Sequence, residues 1–400
     1  MPMRLILLVL DGLGIGEMPD VLKVRPQDIG ANTLGTLVEN VEHLQLQNLL
    51  RLGLGHIVPL KHFDISASPL ASYGRSRLAH QGADSYLGHQ EIMGTIPSAP
   101  AAVLMRQVAE YLELQLKMQG YAVRRPLIES PLLLVNESVV VGDNLEADPG
   151  LNINLTVATD LMDFEEALKI GKVIRDSVGV SRVIVFGGPG INTEDILSHV
   201  EQRDNGQVGV NSPALGVYNQ DLCVQHLGYG VDPDRQVPSI LARMGLPVIL
   251  LGKMADLVVC PGAIRDPIIP TGQLMQALLD AYLSIREGFI AATVQEFDLL
   301  AHQRDVIGLA SVLEEVDRCL GDLLPEMAEA DGLLICADHG NDPQTNIGLH
   351  TREETPLLFY QLGRPAVSLG IRDTLADIGA TITHLFHAPP TQDGVSFLGS

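Results

Sequence analysis

Six residues combine type and spacing in a way that suits metal-assisted chemistry. Asp298-Leu-Leu-Ala-His302 sets a carboxylate and an imidazole four positions apart, so that on a helical turn both reach one ion. Asp338 and His339 are adjacent, His350 follows in Leu349-His-Thr-Arg-Glu353, and Asp11 ends the apolar run from Leu5 to Leu10. Three carboxylates and three imidazoles are enough to divide between two divalent cations. Oxygen and nitrogen donors without thiolate suit Mn²⁺ or Zn²⁺, and Mg²⁺ less because of the histidines.

A separate segment, Gly82-Ala-Asp84-Ser85-Tyr86-Leu-Gly88-His89-Gln-Glu91-Ile-Met-Gly94, offers a nucleophile. Its glycines flank a hydroxyl that can sit at a strand-to-helix turn, and a serine hydroxyl becomes strongly nucleophilic when a base or metal activates it. The competing structural reading makes Ser85 a helix N-cap. Asp11-Gly-Leu-Gly-Ile-Gly16 reads as a tight turn, because glycines at 12, 14 and 16 do not fit the dinucleotide fingerprint. His43, His56, His62, His384 and His387 read as surface or partly buried positions without a chemical role.

The elements that must position these groups are short apolar runs ending in polar clusters. Leu5–Leu10 ends at Asp11, and Pro247–Leu251 ends at Gly252-Lys253. Gly288–Val294 leads to Asp298, and Gly332–Ala337 ends at Asp338-His339. Runs of this length without alternation are strands buried on both faces, the pattern of a parallel sheet covered by helices. Helical periodicity fills the gaps, as at Leu309, Val312, Leu313, Val316 and Leu320 between Val306 and Leu324, and Asp373 is placed to cap another helix. The fold class expected is α/β, a mostly parallel sheet between helices, with its chemistry beyond the carboxyl ends of the strands. Residues 97–225 differ. They hold extended stretches (Pro131–Val135, Ser138–Val141, Ser181–Phe186) and helical ones (Ala101–Gln119, Phe164–Ser177) without the strand-end acid or histidine found on both sides. We expect a smaller inserted α/β domain at 97–225, interrupting a core made of 1–96 and 226–400.

The chain has 49 acidic and 26 basic residues, a formal charge of −23, with 46% apolar content. Such a field repels phosphate backbones and argues against nucleic acid and anionic membrane as partners. No protein partner is inferable. The four cysteines, Cys223, Cys260, Cys319 and Cys336, form no CxxC pair, and the N-terminal apolar run is too short for a signal peptide or a membrane span. A cytoplasmic location is expected.

Leu8-Val-Leu-Asp11-Gly-Leu-Gly-Ile-Gly16 resembles the opening of phosphopentomutases, within the alkaline phosphatase superfamily. Similar matches follow in the family's order: Gly30–Gly35, Gln47–Gly55, Gly88–Gly94, Gly252–Asp256, His302–Asp305, Ala337–Pro343, His350–Glu353, Asp373–Thr381 and Asp393–Leu398. Within the insert, Thr156–Asp160 and Ser181–Ile184 are similar to the family's cap domain. The resemblance implies an alkaline-phosphatase-like core with an inserted cap that closes over the site. It implies two metals, usually manganese: Asp298, His302 and His350 would hold one, and Asp11, Asp338 and His339 the other. Ser85 would bridge them at the position of the family's phosphorylated threonine. It further implies a sugar-bisphosphate primer and a small phosphorylated sugar as substrate, with His89, Glu91, Lys253 and Arg352 as substrate contacts. The activity implied is interconversion of ribose or deoxyribose 1-phosphate and 5-phosphate.

The chain departs from the family at several points. Ser85 replaces threonine, Ala83 lysine and Gln90 tryptophan, and Glu296 stands where aspartate is usual. The arginine-rich phosphate-binding segment is not found, and its equivalent, Gln207–Gly230, has neither arginine nor lysine. A bidentate arginine both binds and orients a phosphate, so its loss changes a site. Either the phosphate contacts moved, to Arg182, Arg203, Arg235 or Lys253, or the core serves another substrate, as a phosphohydrolase or a different phosphomutase. A non-catalytic relative ranks last, because all six ligands and the hydroxyl are present.

Overall fold

The computed structural model describes residues 3–58, 60, 63, 65, 68–128, 130–146, 149–217, 222–345 and 349–399. His62 and positions 218–221 of the arginine-free stretch lie outside them. The chain divides into two compact units, Met1–Ile96 with Asp232–Ser400, and Pro97–Val231. In chain order the strands are β1 (Arg4–Leu10), β2 (Ser72–Ser76), β3 (Val123–Arg124), β4 (Leu133–Val135), β5 (Val139–Asp143), β6 (Asn152–Ala158), β7 (Arg182–Gly188) and β8 (Val200–Gln202). They continue with β9 (Val208–Val210), β10 (Cys223–Gly228), β11 (Val248–Gly252), β12 (Ile264–Asp266), β13 (Gly288–Val294), β14 (Gly332–Cys336), β15 (Thr355–Gln361) and β16 (Ser368–Arg372).

The first unit holds an eight-stranded sheet in the order β12-β11-β13-β1-β14-β15-β2-β16. Only β15 runs against its neighbours. The apolar runs form its centre because both faces are covered. Ile6, Leu8 and Leu10 pack with Ile290, Ile335 and the helices Thr271–Ser284 and Val306–Leu323. Leu5, Leu7 and Val9 face the helices Val237–Arg243 and Ala376–Leu385. Each such buried Leu, Ile or Val contributes about 1.5–3 kcal/mol relative to exposure. The helix read from periodicity buries Leu309, Val312, Leu313, Val316 and Leu320, and Asp305 caps it by accepting from the Gly308 amide. Asp373 does not cap the helix at Ala376. It lies exposed and pairs with Arg77, while the Thr374 hydroxyl accepts from the Ala376 amide.

The second unit holds a six-stranded sheet, β10-β7-β6-β5-β4-β3, and a β8–β9 hairpin. One face of the sheet packs on the helices Met105–Met118 and Phe164–Ser177 through Leu112, Leu116, Ile170 and Ile174. β10 pairs antiparallel with β7, placing Val224 opposite Phe186 and His226 opposite Ile184. The boundary expected between 225 and 226 therefore falls inside a strand that completes this sheet. β5 does end in an acid, Asp143, but its carboxylate accepts from the amides of Met105 and Val208. It fixes a helix start and a crossing strand. No helix among the described residues is long and apolar enough to cross a membrane.

Candidate active site

Four parallel neighbours end at one level: Leu10 of β1 is opposite Val294 of β13, Val9 opposite Cys336 of β14, and Gly252 of β11 opposite Thr293. The residues that follow, Asp11, Asp298, Asp338, His339 and Lys253, therefore emerge side by side. The helix Gln295–His302 begins where β13 stops, which presents Asp298 and His302 one turn apart.

Two groups of ligand-type atoms result, Asp298 with His302 and His350, and Asp11 with Asp338 and His339, each within 4.8 Å of one another. In the first, the Nε2 atoms of His302 and His350 each lie 3.4 Å from an Asp298 oxygen. In the second, His339 Nε2 stands 3.4 Å from Asp11 Oδ1 and 3.2 Å from Asp338 Oδ2. The groups adjoin, because the His339 and His350 rings stack with centroids 3.9 Å apart. Among the described residues, the buried His339 Nε2 makes no hydrogen bond of good geometry. A buried imidazole nitrogen without such a bond, facing two carboxylates, fits a cation between them. The ring orientations are fixed from behind, His339 Nδ1 by the Gly340 carbonyl and His350 Nδ1 by the Ala83 carbonyl.

Ser85 is the first residue of the helix Ser85–Ile92, and Asp84 is its cap, accepting from the Leu87 amide at 3.0 Å. The hydroxyl is thus released from capping. It donates to Asp338 Oδ2 at 2.8 Å and lies 3.4 Å from Asp11 Oδ1. The helix comes this close to β14 because Gly88 has no side chain. A Cβ there would lie 2.5 Å from the Asp338 carbonyl oxygen.

The glycines after Asp11 also have a local reason. A Cβ on Gly14 would meet Glu353 Oε2 at 2.2 Å, and one on Gly340 would meet its Oε1 at 2.3 Å. Glu353 is fully buried and accepts from the Gly16 and Thr33 amides and from the Thr33 and Thr351 hydroxyls. It ties the loop after β1 to the loop before β15.

Charge in the site is lopsided. Burial works against the Lys253 ammonium, yet Asp11, Asp298 and Asp338 together hold it well above the usual lysine range. Burial likewise opposes ionisation of Asp298 and Asp338. It is outweighed by His302, His350 and Lys253 around Asp298, and by His339, His89 and Lys253 around Asp338, so both stay far below the usual carboxylate range. Against burial, Asp338 and the other two carboxylates push His339 up to about 10. This much unbalanced negative charge is what bound divalent ions would neutralise.

The residues expected to touch substrate are placed differently from one another. Lys253 reaches Asp11 Oδ2 at 2.7 Å and Asp298 Oδ2 at 3.4 Å and remains partly exposed. His89 is fully buried, between the Ser85 carbonyl and the Thr293 hydroxyl. Glu91 is also fully buried and accepts from the amides of Ala79, His80 and Leu375, the Thr374 hydroxyl and His80 Nδ1. Arg352 donates to both oxygens of Asp20 and to the carbonyls of Leu78, His80 and Gly82, which uses all five of its N–H groups. Glu91 and Arg352 hold the loop that delivers Ser85 and have no atom left for a substrate.

Glu296 accepts from the amide and hydroxyl of Thr271 at the start of the helix Thr271–Ser284. Arg235 is exposed in the first unit, while Arg203 is exposed and Arg182 half-buried in the second. Two further contributors carry only a weak signal in the sequence. Asn341 donates from Nδ2 to Asp298 Oδ1 at 2.9 Å, and Thr293 bonds His89. The signal for Thr293 was a lone hydroxyl in the otherwise apolar strand β13, and for Asn341 its position two residues after His339.

Residues 265–390 match the metalloenzyme superfamily. A phosphopentomutase of Desulfitobacterium hafniense is 31% identical over 409 residues, covering 99% of each chain. One of Caldanaerobacter subterraneus is 29% identical over 417 residues, covering 99% of this chain and 97% of the other. A solved alkaline phosphatase from the Antarctic bacterium TAB5 aligns at 12% identity with a TM-score of 0.37, over 97% of this chain and 98% of that one.

Proposed function

The chain belongs to the phosphopentomutase family of metal-dependent phosphomutases, with an alkaline-phosphatase-like α/β fold, and we propose that it interconverts ribose or deoxyribose 1-phosphate and 5-phosphate through a phosphoserine at Ser85. The observation that carries this reading is the Ser85 hydroxyl. It is free of capping duty, 2.8 Å from Asp338 Oδ2 and close to Asp11.

The donor set fits two divalent cations, with Asp298, His302 and His350 holding one and Asp11, Asp338 and His339 the other; it suits Mn²⁺ or Zn²⁺, and we take manganese because the resemblance to the family implies it. Bound there, such ions would neutralise the transferring phosphoryl oxygens and lower the pKa of the serine hydroxyl. The protein does the rest. Asp84 and Gly88 set Ser85 against Asp338, so that its proton points at a carboxylate. A sugar bisphosphate primes the enzyme: an Oγ–P bond forms as one P–O ester bond of the primer breaks, and the serine proton ends on the departing sugar oxygen, which leaves as a hydroxyl. Phosphoserine then gives its phosphoryl group to the free hydroxyl end of the sugar monophosphate. The resulting bisphosphate returns the phosphoryl group from its other end and leaves as the isomer. Among the described residues, Lys253 is partly exposed and paired with Asp11 and Asp298 at the site, and we take it as the cation that would meet a substrate phosphate in place of the missing arginines. The free cysteines, two of them buried, suit the reducing cytoplasm, where we place the enzyme.

The test is turnover of ribose 5-phosphate by Mn²⁺-loaded protein primed with glucose 1,6-bisphosphate. The reading requires ribose 1-phosphate as product, an 80 Da mass increase on Ser85, roughly that of one phosphoryl group, and loss of both in Ser85→Ala. Release of inorganic phosphate without isomerisation would make the protein a phosphohydrolase.

A further inference from the structure

β13 reads Gly288-Phe-Ile-Ala-Ala-Thr-Val294, and every residue in it is buried. A threonine there is costly unless its hydroxyl is bonded, and valine would fill the same space without that cost. Among the described residues, the Thr293 hydroxyl has one partner, His89 Nε2, at 2.9 Å. On the other side of the ring, His89 Nδ1 lies 2.8 Å from the carbonyl oxygen of Ser85 and 3.0 Å from Asp338 Oδ2. Both of those oxygens only accept, so Nδ1 carries the ring proton, and in the neutral ring Nε2 accepts from the Thr293 hydroxyl.

Three elements meet at this imidazole. The strand end at Thr293 fixes the ring, the ring holds the first turn of the Ser85 helix, and the same nitrogen faces the Asp338 oxygen to which Ser85 donates. Ser85 Oγ itself is 3.5 Å from Nδ1. His89 has no exposed surface, so it cannot touch a substrate phosphate. Gly252 adds to the constraint: its φ of 62° and the 2.5 Å from its Cβ position to the Thr293 carbonyl show how tightly β11 and β13 are joined where Lys253 departs.

We propose that Thr293 and His89 are positioning residues, a hydroxyl-to-imidazole relay that orients the Asp338 carboxylate toward Ser85 and toward the ion held with Asp11 and His339. This rests on the reading of Asp338 as a metal ligand. A group behind a ligand typically changes metal affinity or activity 10–100-fold when removed, and that is the effect expected for Thr293→Val.

The experiment measures Mn²⁺ binding to the full-length protein by isothermal titration, alongside kcat and KM for the primed mutase reaction. Thr293→Val should weaken one of two ion sites about 10–100-fold and lower kcat with little change in KM, while Thr293→Ser, which keeps the hydroxyl, restores both. His89→Gln, whose side-chain amide cannot span both contacts, should reproduce the Thr293→Val defect and provides the readout if the valine variant does not fold. Wild-type ion binding and kcat in Thr293→Val or His89→Gln would overturn the relay. Asp338→Asn separates the two levels. If it loses an ion while Thr293→Val does not, the relay alone fails; if Asp338→Asn binds both ions normally, the reading of Asp338 as a ligand fails.

Discussion

Lys253 Nζ stands 2.7 Å from Asp11 Oδ2 and 3.4 Å from Asp298 Oδ2, so one ammonium adds counter-charge to carboxylates of both ligand groups. Removing one partner of a buried pair leaves the other charge uncompensated, at a cost of about 3–5 kcal/mol. Lys253 keeps some solvent exposure, so the lower end of that range is expected for Lys253→Met in metal-free protein. Divalent ions would supply the missing positive charge. Thermal melts in EDTA and in MnCl₂ should therefore show a large drop in Tm without metal and a much smaller one with it. Equal drops in both buffers would mean that Lys253 packs there without balancing the carboxylates.

Glu91 makes stability depend on acid. Burial opposes its charge, but His80 and the hydroxyl and amide donors around it hold the carboxyl below its ordinary value. A depressed carboxyl contributes stability that is fully present above the unfolded pKa, about 4.3, and is lost as pH falls through the folded value. Glu91→Gln should thus be destabilised at pH 7 by about 1–3 kcal/mol, as for loss of a charge-assisted hydrogen bond. The gap to wild type should narrow on going to pH 4 and below. Urea unfolding at both pH values measures it, and a gap that widens in acid would contradict the sign.

The parts of this site legible in the sequence are those where chemistry is local. Asp298 and His302 share one helical turn, and Asp338-His339 share one strand end, so type and spacing sufficed. The apolar runs also declared a buried sheet, because nothing but helices on both faces tolerates Leu5–Leu10. What was not legible depends on distant pairing. Nothing near Glu91 or Arg352 in the chain reveals that Thr374 and Asp20 take up their hydrogen bonds. Glu296 stands beside Asp298 where the family has aspartate, and only the approach of Thr271 shows that its carboxylate anchors the start of the next helix. For Ser85, the capping and nucleophile readings differed by one residue of register. That register was decided by Asp84, whose side chain reaches Leu87.

That register gives a prediction of its own. Asp84→Ala removes the cap and should cost about 1 kcal/mol. It also leaves Ser85 as the nearest side chain able to satisfy the unpaired amides of the first turn. Any capping by Ser85 turns its hydroxyl away from Asp338, so kcat should fall by more than the stability loss explains. Asp84→Asn, which caps as well, should retain both stability and turnover. Denaturant titration with steady-state kinetics on the two variants distinguishes them. An Asp84→Ala enzyme with unchanged kcat would show that Ser85 is held by Asp338 alone.

Gly88→Ala tests the closeness of helix and strand directly. Its Cβ would lie 2.5 Å from the Asp338 carbonyl oxygen and 2.9 Å from the Asp338 Cβ. Neither is the end of a flexible side chain, so relief must come from moving the helix or the strand end. Overpacking of this kind costs about 1–3 kcal/mol, which a chain with a core this large can absorb without unfolding. The site has less tolerance, because a shift of about 1 Å in a reacting group can cost 10²-fold in rate. Gly88→Ala should therefore remain folded by circular dichroism, with kcat reduced about 100-fold and weaker Mn²⁺ binding, because the displaced residue is itself a proposed ligand. By contrast, Gly82→Ala, at a glycine with nothing near its Cβ position but a φ of +80°, should lose about 1 kcal/mol of stability from backbone strain. Its kcat should fall far less than that of Gly88→Ala. If the two variants lose turnover equally, backbone freedom in the segment, and not the contact with Asp338, is what Gly88 provides.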